Sequence, residues 1–171
     1  MEILEYSNYR WGHTDSVWNE LYKELDYKNE PFNDSDSLSE WRKLGYTQTK
    51  FTGDMYDMRN PEPIWMANIR QLVPWKYFSW SVYRMGPGCV LPTHGDTFTK
   101  FREIYNYDGD IYRAVFFMED WQSGHYFEIE GIPKTNWRAG DYVYWKNDTT
   151  HLAANIGKTD RYTLQITGVI E

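Results

Sequence analysis

Histidine is scarce in this chain, four among 171 residues, so the company each one keeps is informative. In Thr93-His94-Gly95-Asp96 an imidazole and a carboxylate stand two positions apart. In extended backbone that spacing turns both side chains to one face, and Gly95 lets the chain pass closely around whatever they hold. A third ligand has to come from a different strand. His151, which follows the turn Asn147-Asp148-Thr149-Thr150 and opens the next apolar stretch, is the candidate. Two imidazoles and one carboxylate make a facial set that suits Fe(II) in oxygenases, because three neighbouring coordination positions stay open. Zinc accepts the same donors, usually with one open position, so the pattern alone leaves the metal open.

Arg161 lies ten positions after His151, across the turn Gly157 to Asp160, and a hairpin there would set the two strands side by side. In Arg161-Tyr162-Thr163-Leu164-Gln165-Ile166-Thr167 one face is Arg, Thr, Gln, Thr and the other Tyr, Leu, Ile. The plain account of such a strand is that its polar face is wet. The functional account turns that face inward, where the guanidinium forks onto a carboxylate and Thr163 adds a hydroxyl. An inward Arg161 then requires an anionic ligand, because burying an unpaired guanidinium is costly.

The elements that must position these groups differ between the two parts of the chain. Residues 1–74 read as a helical support region. Trp18, Leu21, Tyr22 and Leu25 fall at helical spacing after Thr14-Asp15-Ser16, any of which could cap the first turn. Ser37 and Glu40 have capping-box spacing for a helix to Leu44, with Gly45 at its left-handed stop, and a third helix starts near Pro61 to Pro63 and ends before Pro74. KNEPFNDSDS between the first two is a polar loop. From Trp75 the period falls toward two, giving strands Tyr77 to Met85, Val90 to His94, Ile111 to Glu119, His125 to Glu130, Tyr142 to Lys146, Leu152 to Asn155 and Tyr162 to Ile170. Short strands at even spacing over 75–171 argue for an antiparallel jelly roll in one domain spanning 1–171, a mainly β fold with the N-terminal helices packed on one sheet.

Composition narrows the partners. A formal charge of −7 repels phosphate backbones and anionic membrane surfaces, so neither nucleic acid nor membrane is expected. No apolar run approaches a membrane span, and the N-terminus has neither the basic nor the apolar region of a signal peptide, which leads to the expectation of a cytoplasmic protein. The single cysteine, Cys89, excludes an internal disulfide and is read as core filler.

On His94-x-Asp96, the distal His151 and Arg161-x-Thr163, the stretch from Tyr77 to Ile170 resembles the 2-oxoglutarate/Fe(II)-dependent dioxygenase superfamily. Tyr83-x-x-Gly86, Gly124-x-x-Phe127 and Ala139-Gly140-Asp141 resemble the prolyl 4-hydroxylase-like branch, although that branch often has Lys where Arg161 stands and a Gly-Gly pair before the middle-strand Phe. The resemblance implies a double-stranded β-helix, cupin-like, with iron on His94, Asp96 and His151 at one open end. It implies 2-oxoglutarate as co-substrate on Arg161, O2 as oxidant, ascorbate as a supporting reductant, and succinate and CO2 as co-products. The intact Asp96 implies hydroxylation of an unactivated C–H bond, of a peptidyl, prolyl-like residue or of a small amino-acid-like molecule.

Other residues carry less. Tyr83 either adds a hydroxyl to the co-substrate pocket or packs in the core. Arg113, in an apolar strand, reaches the rim or grips substrate, the rim being the first expectation. His125 is expected at the surface and His13 in solvent before a helix, while Trp145, Tyr105 and Tyr107 are candidates for the entrance. Two other functions fit a similar barrel: a metal-dependent cupin enzyme that needs no 2-oxoglutarate, and a non-catalytic module binding glycans through its aromatics. The mouth loops, including Thr97 to Asp110, name no ligand, and the oligomeric state is not written in the sequence.

Overall fold

Wherever turn residues divide the second part of the sequence, a new strand begins. The computed structural model describes residues 1–5, 7–15, 17–32, 34–47 and 51–171. Its elements are β1 (Tyr9–His13), β2 (Lys28–Asn29), α1 (Ser35–Lys43), β3 (Asp54–Asp57), α2 (Met66–Leu72), β4 (Lys76–Met85), β5 (Val90–His94), α3 (Thr99–Tyr105), β6 (Tyr112–Phe117), β7 (His125–Ile129), β8 (Ile132–Lys134), β9 (Asp141–Lys146), β10 (His151–Asn155) and β11 (Arg161–Val169). The seven expected strands are present as β4, β5, β6, β7, β9, β10 and β11. They face each other in two antiparallel sheets, β1-β9-β6-β11-β4-β3-β2 and β5-β10-β7-β8, the jelly roll of a double-stranded β-helix.

The parity of β11 divides the interior in two. Tyr162, Leu164 and Ile166, beside Arg84, Val82 and Trp80 of β4, face the N-terminal layer, where Tyr22, Met66, Ile69 and Trp75 cover them. Met66 and Ile69 are fully buried from α2, which at about 1.5–3 kcal/mol each fastens that layer to the large sheet. Arg161, Thr163, Gln165 and Thr167 point the other way, into the space between the sheets. There Val115, Phe117, Val143 and Trp145 meet Phe127, Ile129, Ala153 and Cys89.

The first 74 residues depart from the helical expectation. β1 pairs with β9, setting Trp11 opposite Val143, and β3 pairs with β4, so both extend the large sheet. The helix expected around Trp18 to Leu25 is only a 3-10 turn, Glu20–Glu24, capped by the Asn19 side chain. Tertiary contacts win over helical spacing here: Trp18 Nε1 donates to the Met118 carbonyl at 3.0 Å and the Tyr22 hydroxyl to Glu119 at 3.0 Å. Of the three proposed caps Ser16 lies outside the described residues, as does Asn33 of the polar loop. α1 starts earlier than Ser37 because the Asp34 carboxylate accepts the Ser37 N–H at 2.8 Å, whereas Gly45 takes the left-handed stop at φ +98°. The mouth segment Thr97 to Asp110 contains α3.

The turn after β10 does not form the expected hairpin. Both strands already have partners in different sheets, and residues 156–160 carry the chain from one sheet to the other, so β10 and β11 face each other across the interior. Among the described residues no helix is long and apolar enough to cross a membrane.

Candidate metal centre

His94 closes β5 and His151 opens β10, and their antiparallel register sets the two opposite each other with ring centroids 4.4 Å apart. Asp96 turns back toward both, its Oδ1 3.8 Å from His94 Nε2 and its Oδ2 3.7 Å from His151 Nε2. One ligating atom from each lies within 4.8 Å of the others, and among the described residues no other group of three or more His, Cys, Asp or Glu does this. Gly95 is required by the approach of the next turn, since a Cβ there would run into the Asp148 carbonyl oxygen.

Each imidazole has one nitrogen occupied. Nδ1 of His94 lies 2.9 Å from the Pro92 carbonyl and Nδ1 of His151 3.0 Å from that of Thr149. A carbonyl only accepts, so the protons sit on Nδ1 and the Nε2 lone pairs face the cluster. Burial lowers both imidazole pKa values, that of His151 to about 4, and keeps the rings neutral at pH 7. Burial alone would raise the Asp96 carboxyl, but Arg113, then His151, His94 and Trp145, hold it below the ordinary range. Two neutral imidazoles and an ionised carboxylate fit a divalent first-row cation. Phe32 and Trp41 stand edge-on to His94, with centroids at 5.7 and 5.6 Å, and α1 is tied to the site by Trp41 Nε1 donating to the Thr93 carbonyl at 3.2 Å.

Arg161, 5% exposed, opens β11 opposite Met85. Its guanidinium lies 5.5 Å from the rings of Phe117 and Trp137, Nη1 reaches only the Met85 sulfur at 3.9 Å, and Nε has no partner among the described residues. Burial is the one influence on its pKa, lowering it to about 10, so the group is charged at pH 7. Phe127 links the surroundings of Arg161 to the triad, 5.7 Å from Phe117 and 6.5 Å from His151 between centroids. Thr163 is buried on the same face, and half-buried Tyr83 stands opposite it across the β4 and β11 pair.

Four residues take positions that the sequence does not disclose. Arg113 reaches inward, not to the rim: its Nη1 donates to Asp96 Oδ1 and its Nε to Thr167 Oγ1 at 3.3 Å. Trp145 lies beneath the triad instead of at the entrance, fully buried, with Nε1 3.3 Å from Asp96 Oδ2. His125 is buried because the turn between β10 and β11 folds over it, its Nε2 3.1 Å from the Thr159 carbonyl. Asn155, unremarked in the sequence, donates to the Met85 carbonyl at 2.7 Å and to that of Thr159 at 2.8 Å, and so fixes where β11 begins and where Arg161 enters. Arg113 shares strand parity with Val115 and Phe117, but β6 is buried on both faces, so that parity does not mark the inner side in the sequence. His13 ends β1 and pairs with Asp141 at 2.8 Å, and Tyr105 and Tyr107 pack on Tyr77 beside α3.

No protein-family model matches the chain, and no curated protein matches it by sequence. In structure the chain is similar to a prolyl-4-hydroxylase from Pseudomonas putida, with a TM-score of 0.59 at 12% identity over 95% of this chain and 93% of that one. At that identity the likeness is one of fold. A cupin protein from Bacteroides fragilis (TM-score 0.42, 10% identity, 72% of this chain and 83% of that one) and a predicted oxalate decarboxylase from Thermotoga maritima (0.39, 15%, 68% and 80%) are looser likenesses and add no weight.

Proposed function

We propose that the protein is a non-haem Fe(II)- and 2-oxoglutarate-dependent dioxygenase that hydroxylates an unactivated C–H bond of a small-molecule or peptidyl substrate. The observation that carries this reading is a charged, buried Arg161 with no anionic partner among the described residues, in the same interior as the His94, Asp96 and His151 cluster. The cluster alone would suit many metalloenzymes. A cation site joined through aromatic walls to a guanidinium that lacks its anion suits a co-substrate with a carboxylate at its far end.

Iron at the triad would supply, with O2 and 2-oxoglutarate, the oxidation that yields succinate, CO2 and a hydroxylated product. Arg161 binds the distal carboxylate through its Nε and Nη donors, and Thr163 offers a hydroxyl on the same face. Tyr83, whose phenol is kept protonated by burial, is placed to add another donor. Trp145 and Arg113 fix the orientation of Asp96, one on each oxygen. Phe32, Trp41, Phe117 and Phe127 exclude water from the space around the ligands.

The test is to mix the protein anaerobically with Fe(II) and 2-oxoglutarate and look for a visible charge-transfer band, then admit O2 with ascorbate and measure succinate. Both should appear in the wild type and be lost in His151→Ala. A protein that binds iron but neither gives the band nor makes succinate would belong with the cupin enzymes that use no 2-oxoglutarate.

A further inference from the structure

The charges assigned so far do not balance inside the barrel. His94 and His151 each hold a proton on Nδ1 against a backbone carbonyl and offer an Nε2 lone pair as neutral ligands, and Asp57 on the same inner face is already held by Arg59 through Nε at 3.0 Å and Nη2 at 2.6 Å. With a divalent cation on the triad and a dianionic co-substrate, Asp96 is the one carboxylate left among the described residues against two guanidiniums. One positive charge then remains in excess, in a place where uncompensated charge is costly. Arg161 and Arg113 stand at opposite ends of the inner face of β11, Arg113 beside Thr167, so the excess lies at Arg113.

Arg113 is held as a binding group would be. Nη1 donates to Asp96 and Nε to Thr167 Oγ1. With its oxygen turned toward the guanidinium, the Gln165 amide accepts from Nε at 3.2 Å and Nη2 at 3.3 Å. The Phe98 ring covers the guanidinium at 4.7 Å, and Phe98 holds a left-handed φ of +55°, an uncommon conformation for a residue with a side chain. These partners take one hydrogen on each of the three nitrogens. A guanidinium has five N–H groups, so one hydrogen on each Nη has no partner among the described residues, and the side chain remains 19% exposed.

We infer that the two free N–H groups of Arg113 receive a substrate carboxylate, which makes the substrate class a small carboxylic acid, such as a free amino acid, instead of a peptide segment. Because Arg113 touches Asp96 directly, the carbon that reacts lies only a few bonds from that carboxylate. This deepens the dioxygenase reading and rests on it.

The experiment titrates the common L-amino acids and their carboxamides into protein loaded anaerobically with Fe(II) and 2-oxoglutarate, reading binding heat and the charge-transfer band. At least one acid should perturb the band and bind about tenfold or more tightly than its amide, the size of one charge-assisted contact. That preference should fall to about unity in Arg113→Gln and survive in part in Arg113→Lys, which keeps the charge without the fork. Being a ratio within one protein, it does not depend on how well a variant holds iron, and Arg113→Lys alone tests it if Arg113→Gln does not fold. Wild type that binds no acid better than its amide, or an Arg113→Gln or Arg113→Lys protein with the full preference, would overturn the inference. A wild type without any band before acid is added would instead count against the co-substrate reading.

Discussion

Replacing Arg161 with Met should move stability and co-substrate binding in opposite directions. Burial lowers the guanidinium pKa from its ordinary value to about 10, which corresponds to on the order of 3 kcal/mol against keeping the charge where it sits. The Phe117 and Trp137 faces return part of that, on the order of 0.5–2 kcal/mol. Met fills a similar volume with no polar atom to desolvate and packs well on aromatic rings. The metal-free variant should therefore be more stable by about 1–2 kcal/mol, a rise in Tm of several degrees at about 2–4 °C per kcal/mol for a chain of this size. Affinity for 2-oxoglutarate should fall by about 2–5 kcal/mol, or roughly 30-fold to several thousand-fold, because one partner of a buried charge pair is gone. Scanning calorimetry on chelator-treated protein reads the first quantity, and titration of 2-oxoglutarate into Mn(II)-loaded protein reads the second. A lower Tm for Arg161→Met would mean that the guanidinium supports the fold, and the argument from an absent anion would fail. Unchanged affinity would remove Arg161 as the anchor whatever the Tm.

Acid should destabilise the metal-free protein through its buried histidines. His94, His125 and His151 all have pKa values lowered, each first by burial, so the folded state binds fewer protons than the unfolded one. Stability present above the ordinary value of 6.5 is then lost as pH falls toward the folded values, with His151 alone worth on the order of 3 kcal/mol by its folded value of about 4. A denaturation midpoint that is flat between about pH 7 and pH 5 would contradict this. Trp145→Phe removes the donor to Asp96 Oδ2 and should weaken metal binding about 10- to 100-fold in competition with a chromophoric chelator, whereas wild-type affinity would show that Nε1 does not hold the carboxylate. Gly95→Ala sets a methyl group against the Asp148 carbonyl and should lower metal affinity with the circular dichroism spectrum unchanged; full affinity would mean that the 147–150 turn can yield.

How far the sequence discloses the molecule depends on how many of an element's faces are buried. β11 is legible because polar and apolar residues alternate from Arg161 to Thr167, and the triad is legible because histidine is rare and His94 and Asp96 share one parity. β6 is not legible in the same way. It is buried on both faces, so Tyr112 to Phe117 carries no period from which the side of Arg113 could be told. Trp145 is hidden likewise, in a strand where Val143, Tyr144 and Trp145 are all buried. The N-terminal strands escape because β2 and β3 are short, and because β1 gains its identity only by pairing with β9 at the far end of the sequence. His125 follows a tight turn, a context that suggests solvent. What covers it is a second turn more than thirty residues later, at Thr159.

Register is what keeps the two halves of this design apart. On β11 the outer residues Tyr162, Leu164 and Ile166 join the apolar core, and the inner residues Arg161, Thr163, Gln165 and Thr167 face the site. A slip of one residue would exchange the sets, placing Leu164 and Ile166 against the triad and a guanidinium in the apolar layer. Such a strand needs its start pinned, and Asn155 and His125 do this by both hydrogen-bonding the Thr159 carbonyl, two residues before Arg161. At the other end the pairing of β11 with β4 shifts between Thr167 and Val169, past the last inner residue that the site uses, and Val169 packs with Ile111 and Phe101 beside α3. The irregularity thus falls past the last inner residue, which leaves Arg161 and Thr167 in one uninterrupted register and ties the Arg161 end of the interior to the end where Arg113 meets Asp96.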